Sequence, residues 1–254
     1  MDQDVFCQFF SFNGITLAVR HRKGACSPGL VVLPGYRANM LGDKATAIDS
    51  FAKKITYLVC VLIILAMVNR EEIFFQGTIS RWVEESLAVF EAYCEGPQIL
   101  IGSSMGGWIA MRLATLLAQQ GKEIAGIVLI APATDFTDAL IKPVLKEVEL
   151  KDLEEKGYCE VPLSEQSEPL PFTKILLEDG KNNSIMNGCL DVKCPIHILQ
   201  GMEDEPVPYQ HSMDLLDHLP LNDVTLTLVR DADHNFSRPK DLDCLERVIM
   251  SLIN

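Results

Sequence analysis

A glycine-flanked serine between a strand and a helix constrains the fold of this chain more than any other feature. Residues 102–106 read Gly-Ser-Ser-Met-Gly, a Gly-x-Ser-x-Gly pattern centred on Ser104. The apolar run 97–101 predicts a strand before it, and residues 107–114 predict a helix after it. Such a sharp turn needs neighbours without side chains, so that strand and helix can approach. Ser104 would then expose its hydroxyl at a helix N-terminus, which favours a developing negative charge. A turn used only for packing is the alternative.

The rest of the chain alternates short apolar strands with amphipathic helices. After a hairpin turning at Asn13-Gly14, strands are predicted at 29–33, 57–68, 97–102, 124–131, 196–201 and 224–229. Helices are predicted at 44–55, 80–95, 105–119, 210–219 and 242–253. This rhythm predicts an α/β fold with a mostly parallel, doubly wound sheet and helices on both faces. The stretch 135–172 interrupts it, because residues 135–157 are charged and predicted to be helical and residues 158–171 are polar with three prolines. This predicts one domain over 1–254 with a small lid insertion.

The composition excludes several classes of partner. A net charge of −13 offers no basic stripe, so we expect no nucleic acid to bind. The apolar run 57–68 is shorter than the roughly 20 residues that span a bilayer, so we expect no stable membrane insertion. The eight cysteines are scattered without metal-ligand spacing and predict reduced thiols, although Cys189 and Cys194 are close enough to pair. The acidic N-terminus does not read as a secretory signal, and we expect a cytoplasmic protein.

Two further side chains could activate Ser104. A serine hydroxyl needs an imidazole to accept its proton and a carboxylate to orient that imidazole. Among five histidines, His234 lies in a polar loop after the last predicted strand, whereas His197 reads as a core residue and His211 and His218 as helix-surface residues. Of three carboxylates after the 196–201 strand, Asp204 fits best because two prolines fix the backbone behind it; Glu203 and Glu205 read as solvated. The alternatives are a solvent loop and a merely acidic turn.

Backbone amides are the expected stabilisers of an oxyanion. One amide is predicted to be that of Met105, directly after the candidate nucleophile. The other is predicted to be that of Tyr36, after the strand at 29–33, where Gly35 lets the chain turn. An ordinary Pro-Gly turn is the alternative for this second position. This chemistry requires no metal and no organic cofactor.

Assembled, these residues resemble the serine hydrolases of the α/β hydrolase superfamily. Within it the chain is similar to the mitochondrial palmitoyl-protein thioesterases, which also cleave mycophenolic acid acyl-glucuronide, and to their alphaproteobacterial relatives. The matching stretches are 33–40 with Lys44-Ala45, 77–82, 102–108, 201–208 and 234–236. The resemblance implies an eight-stranded sheet with Ser104, Asp204 and His234 as catalytic triad. It also implies hydrolysis of small-molecule or acyl-protein esters or thioesters through an acyl-enzyme on Ser104.

The stretch 59–73 departs from this family pattern. Relatives carry a sequence like Leu-Arg-Phe-Asp-Tyr-Ser-Gly-His-Gly-Glu-Ser where this chain is continuously apolar. With permitted codons, a two-base shift of the reading frame recovers the family sequence. Two compensating frame changes near positions 59 and 73 are therefore our hypothesis, and the nucleotide sequence decides it. We expect lowered stability or altered substrate access from the replaced turn, with the three catalytic residues kept.

Two other functions stay open at this point. The first is a peptidase on the same fold, with Glu147, Glu149 or Asp152 anchoring a substrate amine, although these carboxylates read more simply as a solvated helix face. The second is a binding module or impaired pseudo-hydrolase, which the altered 59–73 stretch favours. Apolar residues such as Leu163 and Phe172 could line an acyl groove or only anchor the lid. No feature of the sequence specifies acyl-chain length or oligomeric state.

Overall fold

The computed structural model describes residues 5–38, 41–55, 57–62, 75–164 and 167–253. The strands are β1 (Val5–Phe12), β2 (Ile15–Arg22), β3 (Cys26–Leu33), β4 (Tyr57–Leu62), β5 (Gln98–Ser103), β6 (Ile124–Ile130), β7 (Tyr158–Val161), β8 (Leu170–Thr173), β9 (Ile196–Gly201) and β10 (Val224–Val229). The α-helices are α1 (Asp43–Ile55), α2 (Ile79–Tyr93), α3 (Met105–Gln119), α4 (Glu147–Glu155), α5 (Lys174–Asn182), α6 (Tyr209–Asp217) and α7 (Pro239–Ile253).

Eight of the described strands form one sheet, in the order β1-β2-β4-β3-β5-β6-β9-β10. β2 pairs antiparallel with both β1 and β4, and all other neighbouring strands of this sheet pair parallel. The β1–β2 hairpin turns at Asn13 and Gly14, with φ of 49° and 76°, as the Asn-Gly signal predicts. Because the parallel strands run the same way, the loops after β3, β5, β9 and β10 emerge at one edge of the sheet, where ligands bind in open α/β sheets.

Both faces of the sheet are covered, which is why its central strands are apolar at successive positions. Along β3, Val31 and Leu33 belong to the core under α2 and α3, whereas Leu30 and Val32 belong to the core under α1 and α7. The packing of helices on both faces confirms the predicted doubly wound architecture. The two tryptophans, Trp82 in α2 and Trp108 in α3, are fully buried in the first core.

The segment from 135 to 172 contains the predicted helical structure and also two strands that the sequence does not predict. It contains a π-helical turn (Thr137–Ile141), a 3-10 turn (Lys142–Val144) and α4, and then β7 and β8 pair as a separate antiparallel sheet. The described residues thus contain ten strands, not eight, although the main sheet has eight. The sequence missed β8 because it contains Pro171, and proline within a run argues against a strand. A two-stranded sheet tolerates it because both of its strands are edges.

The predictions for strand bounds, for the stretch 59–73 and for the cysteines have different outcomes. β3 begins at Cys26, three residues before the predicted start. Of the apolar run 57–68, residues Tyr57–Leu62 form β4, and residues 63–68 lie outside the described residues. The frame hypothesis for 59–73 falls mainly on the same undescribed stretch and stays a prediction. Where their side chains are described, the cysteines, including Cys189 and Cys194, are free thiols. Within the described ranges, no helix is both long and apolar enough to cross a membrane.

Candidate active site

Ser104 occupies a strained turn between β5 and α3. Its φ of 55° and ψ of −124° are unusual for a residue with a side chain, and they raise the hydroxyl above the sheet edge. The flanking glycines make this turn possible, because a Cβ at Gly106 would lie 2.0 Å from Leu33 O. A Cβ at Gly102 would lie 2.4 Å from Gly106 O. Close approach of backbone to backbone therefore requires glycine at both positions.

The structure brings Ser104, His234 and Asp204 together, although they are far apart in the sequence. His234 Nε2 lies 3.2 Å from Ser104 Oγ, and His234 Nδ1 lies 2.9 Å from Asp204 Oδ2. The Asp204 side chain is fully buried, whereas that of His234 is 25% exposed. This chain of contacts runs from a buried carboxylate through an imidazole to a hydroxyl at the surface of a cleft. The geometry permits a proton to move from Ser104 to His234.

Asp204 is held by groups that the sequence analysis did not single out. Val207 N–H donates to its Oδ1 at 2.8 Å, and Gln200 Nε2 donates to its Oδ2 at 3.0 Å. The competing acids Glu203 and Glu205 are exposed, as expected for solvated side chains. Of the three neighbouring carboxylates, Asp204 is therefore the one that is buried and held by hydrogen bonds beside His234.

The remaining histidines lie away from this arrangement, and one prediction about them is wrong. His211 is buried rather than at the helix surface, and its Nε2–H donates to Thr134 O at 2.8 Å. The first turn of α6 faces the loop after β6, so a polar residue there is enclosed. His197 is partly buried, with Nε2 2.9 Å from Thr227 Oγ1, and burial lowers the pKa of both rings. His218 is exposed.

The two residues predicted to hold an oxyanion flank Ser104. Met105 is the first residue of α3, so its N–H belongs to the first turn and has no acceptor within the helix. On the opposite side, a Cβ at Gly35 would lie 3.1 Å from Ser104 Cβ, which places the Gly35-Tyr36 loop against the serine. Position therefore favours both residues for the predicted role.

The side chain of Tyr36 joins this loop to the 135–172 segment. Its hydroxyl donates to Pro171 O at 2.5 Å, and its ring stacks on Phe172 with centroids 5.3 Å apart. Burial raises the pKa of Tyr36 well above its usual value, so the hydroxyl remains a donor. The sequence predicts a role only for the backbone of Tyr36, because the partner of its side chain is 135 residues away.

Two cavities adjoin Ser104 and His234. One has a volume of about 40 Å³ and is lined by apolar side chains that include Phe136, Leu163 and Phe172. The other has a volume of about 470 Å³ and lies over β3 and the start of α1. Leu163 and Phe172 therefore line a cavity beside Ser104, one of the two roles considered from the sequence. Two cavities beside one hydroxyl can receive two parts of a substrate.

Lys44 is the cationic side chain on the larger cavity within the described residues. Its Nζ donates to Asn235 O, which ties α1 to the loop that carries His234. Burial lowers the pKa of Lys44, and the carboxylates of Asp233, Asp204 and Asp43 oppose that shift. Over the described ranges, no group of three or more histidine, cysteine or acidic side chains could hold a metal ion.

Comparison with known proteins places this chain in a family. The model of the thioesterase domain matches residues 83–204. The human mitochondrial palmitoyl-protein thioesterase ABHD10 is 32% identical to the chain over 245 residues, which cover 94% of the chain and 76% of the relative. The chain belongs to the ABHD10 family of α/β hydrolases. Bovine ABHD10 is 29% identical, again over 94% of the chain.

Solved structures agree with membership of the ABHD10 family. Mouse ABHD10 superposes with a TM-score of 0.85 at 27% identity, covering 98% of each chain. A protein from Agrobacterium vitis S4, provisionally assigned as a hydrolase, superposes with a TM-score of 0.90 at 42% identity, again over 98% of each chain. The curated ABHD10 relatives are named as mitochondrial, so the cytoplasmic location expected from sequence stays a prediction.

Proposed function

We propose that this chain is a serine hydrolase that cleaves carboxylic esters or thioesters through an acyl-enzyme on Ser104. One observation carries the proposal: a serine in a strained strand–helix turn lies 3.2 Å from His234 Nε2, while Asp204 contacts the other ring nitrogen. Membership of a family whose relatives are named palmitoyl-protein thioesterases supports acyl thioesters, including those on proteins, as the substrate class.

The proposed mechanism follows from the positions of these groups. His234 Nε2 accepts the proton of Ser104 as its oxygen attacks the acyl carbon, and Asp204 fixes the tautomer with the proton on Nδ1. The N–H groups of Met105 and Tyr36 stabilise the negative oxygen of the tetrahedral intermediate. The imidazolium then protonates the leaving alcohol or thiol. A water molecule, activated by His234, releases the acid and restores Ser104.

The two cavities suggest how the substrate is oriented. We assign the acyl group to the apolar cavity of about 40 Å³ and the leaving group to the larger cavity. An engineered cavity of about 150 Å³ holds a benzene ring, so the smaller space fits only a short acyl group as it stands. Longer chains require Phe172 or Leu163 to move, which gives the 135–172 segment the role of a lid within a single 1–254 domain.

The chemistry of α4 disfavours the peptidase alternative. Glu149 accepts a hydrogen bond from Lys146 N at the start of the helix, and Asp152 pairs with Lys156 at 2.9 Å. Glu147 is exposed on the same helix. Glu149 and Asp152 are thus used for capping and surface pairing, which disfavours both as anchors for a substrate amine.

Labelling with a fluorophosphonate tests the proposal and separates it from a pseudo-hydrolase. The wild-type chain should be labelled at Ser104, not at the adjacent Ser103, when the modified peptide is sequenced by mass spectrometry. Ser104→Ala should abolish both the label and the hydrolysis of 4-nitrophenyl esters and acyl thioesters. Ser251→Ala, which removes a hydroxyl bonded to Val248 O in α7, should keep both. Labelling that persists in Ser104→Ala, or its absence from the wild type, would refute the assignment.

A further inference from the structure

A polar side chain lies behind the candidate triad, inside the apolar core. Gln200 is the penultimate residue of β9, and its side chain is fully buried. Ile196 and Ile198, at the same face of the strand, belong to the core under α3. Burial of an amide is unfavourable unless its donors and acceptor are satisfied, so Gln200 needs specific partners. Those partners connect it to Asp204.

The contacts of Gln200 leave one possible orientation of its amide. Ser212 Oγ, on α6, donates to Gln200 Oε1 at 2.8 Å. The other end of the amide faces three acceptors: Asp204 Oδ2 at 3.0 Å, and Gly201 O and Val207 O at 3.1 Å each. An oxygen at that end would face only oxygens, so Nε2 must occupy it. Gln200 therefore presents an N–H donor to the carboxylate of Asp204.

This donor complements the one supplied by the backbone. Val207 N–H donates to Asp204 Oδ1, Gln200 donates to Oδ2, and His234 Nδ1 contacts both oxygens. Hydrogen bonds from protein donors stabilise the ionised form of a buried carboxylate and fix its rotation. Without Gln200, Oδ2 would lose its only described hydrogen-bond donor besides His234 Nδ1.

We propose that Gln200, oriented by Ser212, is a positioning residue for the reaction, acting only through Asp204. The inference rests on the proposed function, since it assumes that Asp204 orients His234. A charge-assisted hydrogen bond of this kind corresponds to about a tenfold to hundredfold effect on rate. Ser212 acts one contact further away, so its loss should have a smaller effect.

A double-mutant cycle on kcat for a 4-nitrophenyl ester tests the proposal. Gln200→Leu should lower kcat about tenfold to hundredfold with KM changed less than about twofold, and Ser212→Ala should lower it about twofold to fivefold. In an Asp204→Asn background, Gln200→Leu should change kcat by less than about twofold, because its only route to the reaction is already lost. Equal losses in both backgrounds would overturn the proposal, as would an unchanged kcat in the single variant.

The chain supplies a matched control. Gln98, the first residue of β5, is also fully buried, but its Nε2 donates to Glu95 O at the amino end of the sheet. Gln98→Leu should lower the melting temperature while kcat stays within about twofold of wild type. If Gln98→Leu slows the reaction as much as Gln200→Leu, the effect of Gln200 is structural and the proposal fails.

A second variant keeps the test decisive if Gln200→Leu does not fold. Gln200→Met is unbranched and similar in length to glutamine, but its thioether cannot donate a hydrogen bond to Asp204 Oδ2. It should lower kcat about tenfold to hundredfold, with KM changed less than about twofold. A kcat within about twofold of wild type would overturn the proposal, whereas an unimpaired Asp204→Asn variant would refute the proposed function itself.

Discussion

The loops after β5, β9 and β10 differ in construction from the segment 131–195, which crosses from β6 to β9. In the loop after β9, Asp204 is buried and accepts hydrogen bonds from Gln200 Nε2 and Val207 N–H. In the crossing segment, charged residues of α4 form exposed pairs such as Lys151–Glu155 at 3.7 Å, which contribute little to stability. The inner face of that segment is apolar and packs beside Ser104. We infer that the loops fix the chemistry and the segment shapes the acyl site.

The largest effect should come from the loops. Asp204→Asn would present an amide N–H to His234 Nδ1 and favour the wrong tautomer, so kcat should fall about ten-thousandfold. KM and the circular dichroism spectrum should change little. Steady-state kinetics on a short-chain ester measures this, with Glu205→Gln, an exposed neighbour, as the control. A loss below about tenfold would place the orienting acid elsewhere.

A second test addresses the turn that carries Ser104. Gly106→Ala would drive a methyl group into Leu33 O, so the strand and helix must separate and the unfolding free energy should fall by about 3 kcal/mol or more. Gly188→Ala is the control, because its added Cβ has no atom within 4 Å. Urea denaturation compares the two. Equal stabilities would show that close approach at this turn is not needed.

A substitution in the crossing segment should change both the substrate specificity and the stability of the protein. Phe172→Ala removes a fully buried ring from the small cavity and should lower the unfolding free energy by about 3–5 kcal/mol. If the variant remains folded at low temperature, its kcat/KM should shift towards longer acyl chains in a graded ester series. Ile175→Ala, at a side chain 45% exposed, should change neither property appreciably. An unchanged chain-length profile would remove Phe172 from the acyl site.

The smallest expected effect is on the pH dependence of stability, through the hydrogen bond between α6 and the crossing segment. His211 on α6 donates to Thr134 O at the start of the crossing segment, and burial lowers its pKa, while Asp214 and Asp135 oppose that shift. Below about pH 6.5 the unfolded chain binds a proton that the folded chain resists. Stability should thus be retained at neutral pH and decline on acidification, by at most about 1.4 kcal/mol per pH unit from this residue.

Denaturation midpoints between pH 5 and pH 8 measure this dependence. His211→Gln should flatten it, whereas Gln210→Ala, at an exposed neighbour in the same helix with no titratable group, should leave it unchanged. If stability depends on pH equally in wild type and His211→Gln, the protonation of His211 does not contribute to that dependence.

The sequence alone predicted the features that depend on local rules. Gly-x-Ser-x-Gly between a strand and a helix requires the turn at Ser104, whichever residues come near it later. Alternating apolar strands and amphipathic helices predicted the doubly wound sheet, and Asn13-Gly14 predicted its first hairpin. Position after a strand selected His234, because parallel strands deliver their loops to one edge. Selecting Asp204 among three acids also needed the two prolines that follow it.

Tertiary structure decided the features that depend on distant partners. Gln200 looks like an anomaly in an apolar strand until Ser212 and Asp204 surround its amide. Tyr36 gains its stacking partner 136 positions later, and the buried His211 donates to Thr134 O in the loop after β6, 77 positions earlier. Propensity and spacing describe a residue and its neighbours in the chain. Burial and hydrogen bonding are fixed by contacts between remote segments, so the environment of the acid and the size of the acyl cavity emerge only when the chain has folded.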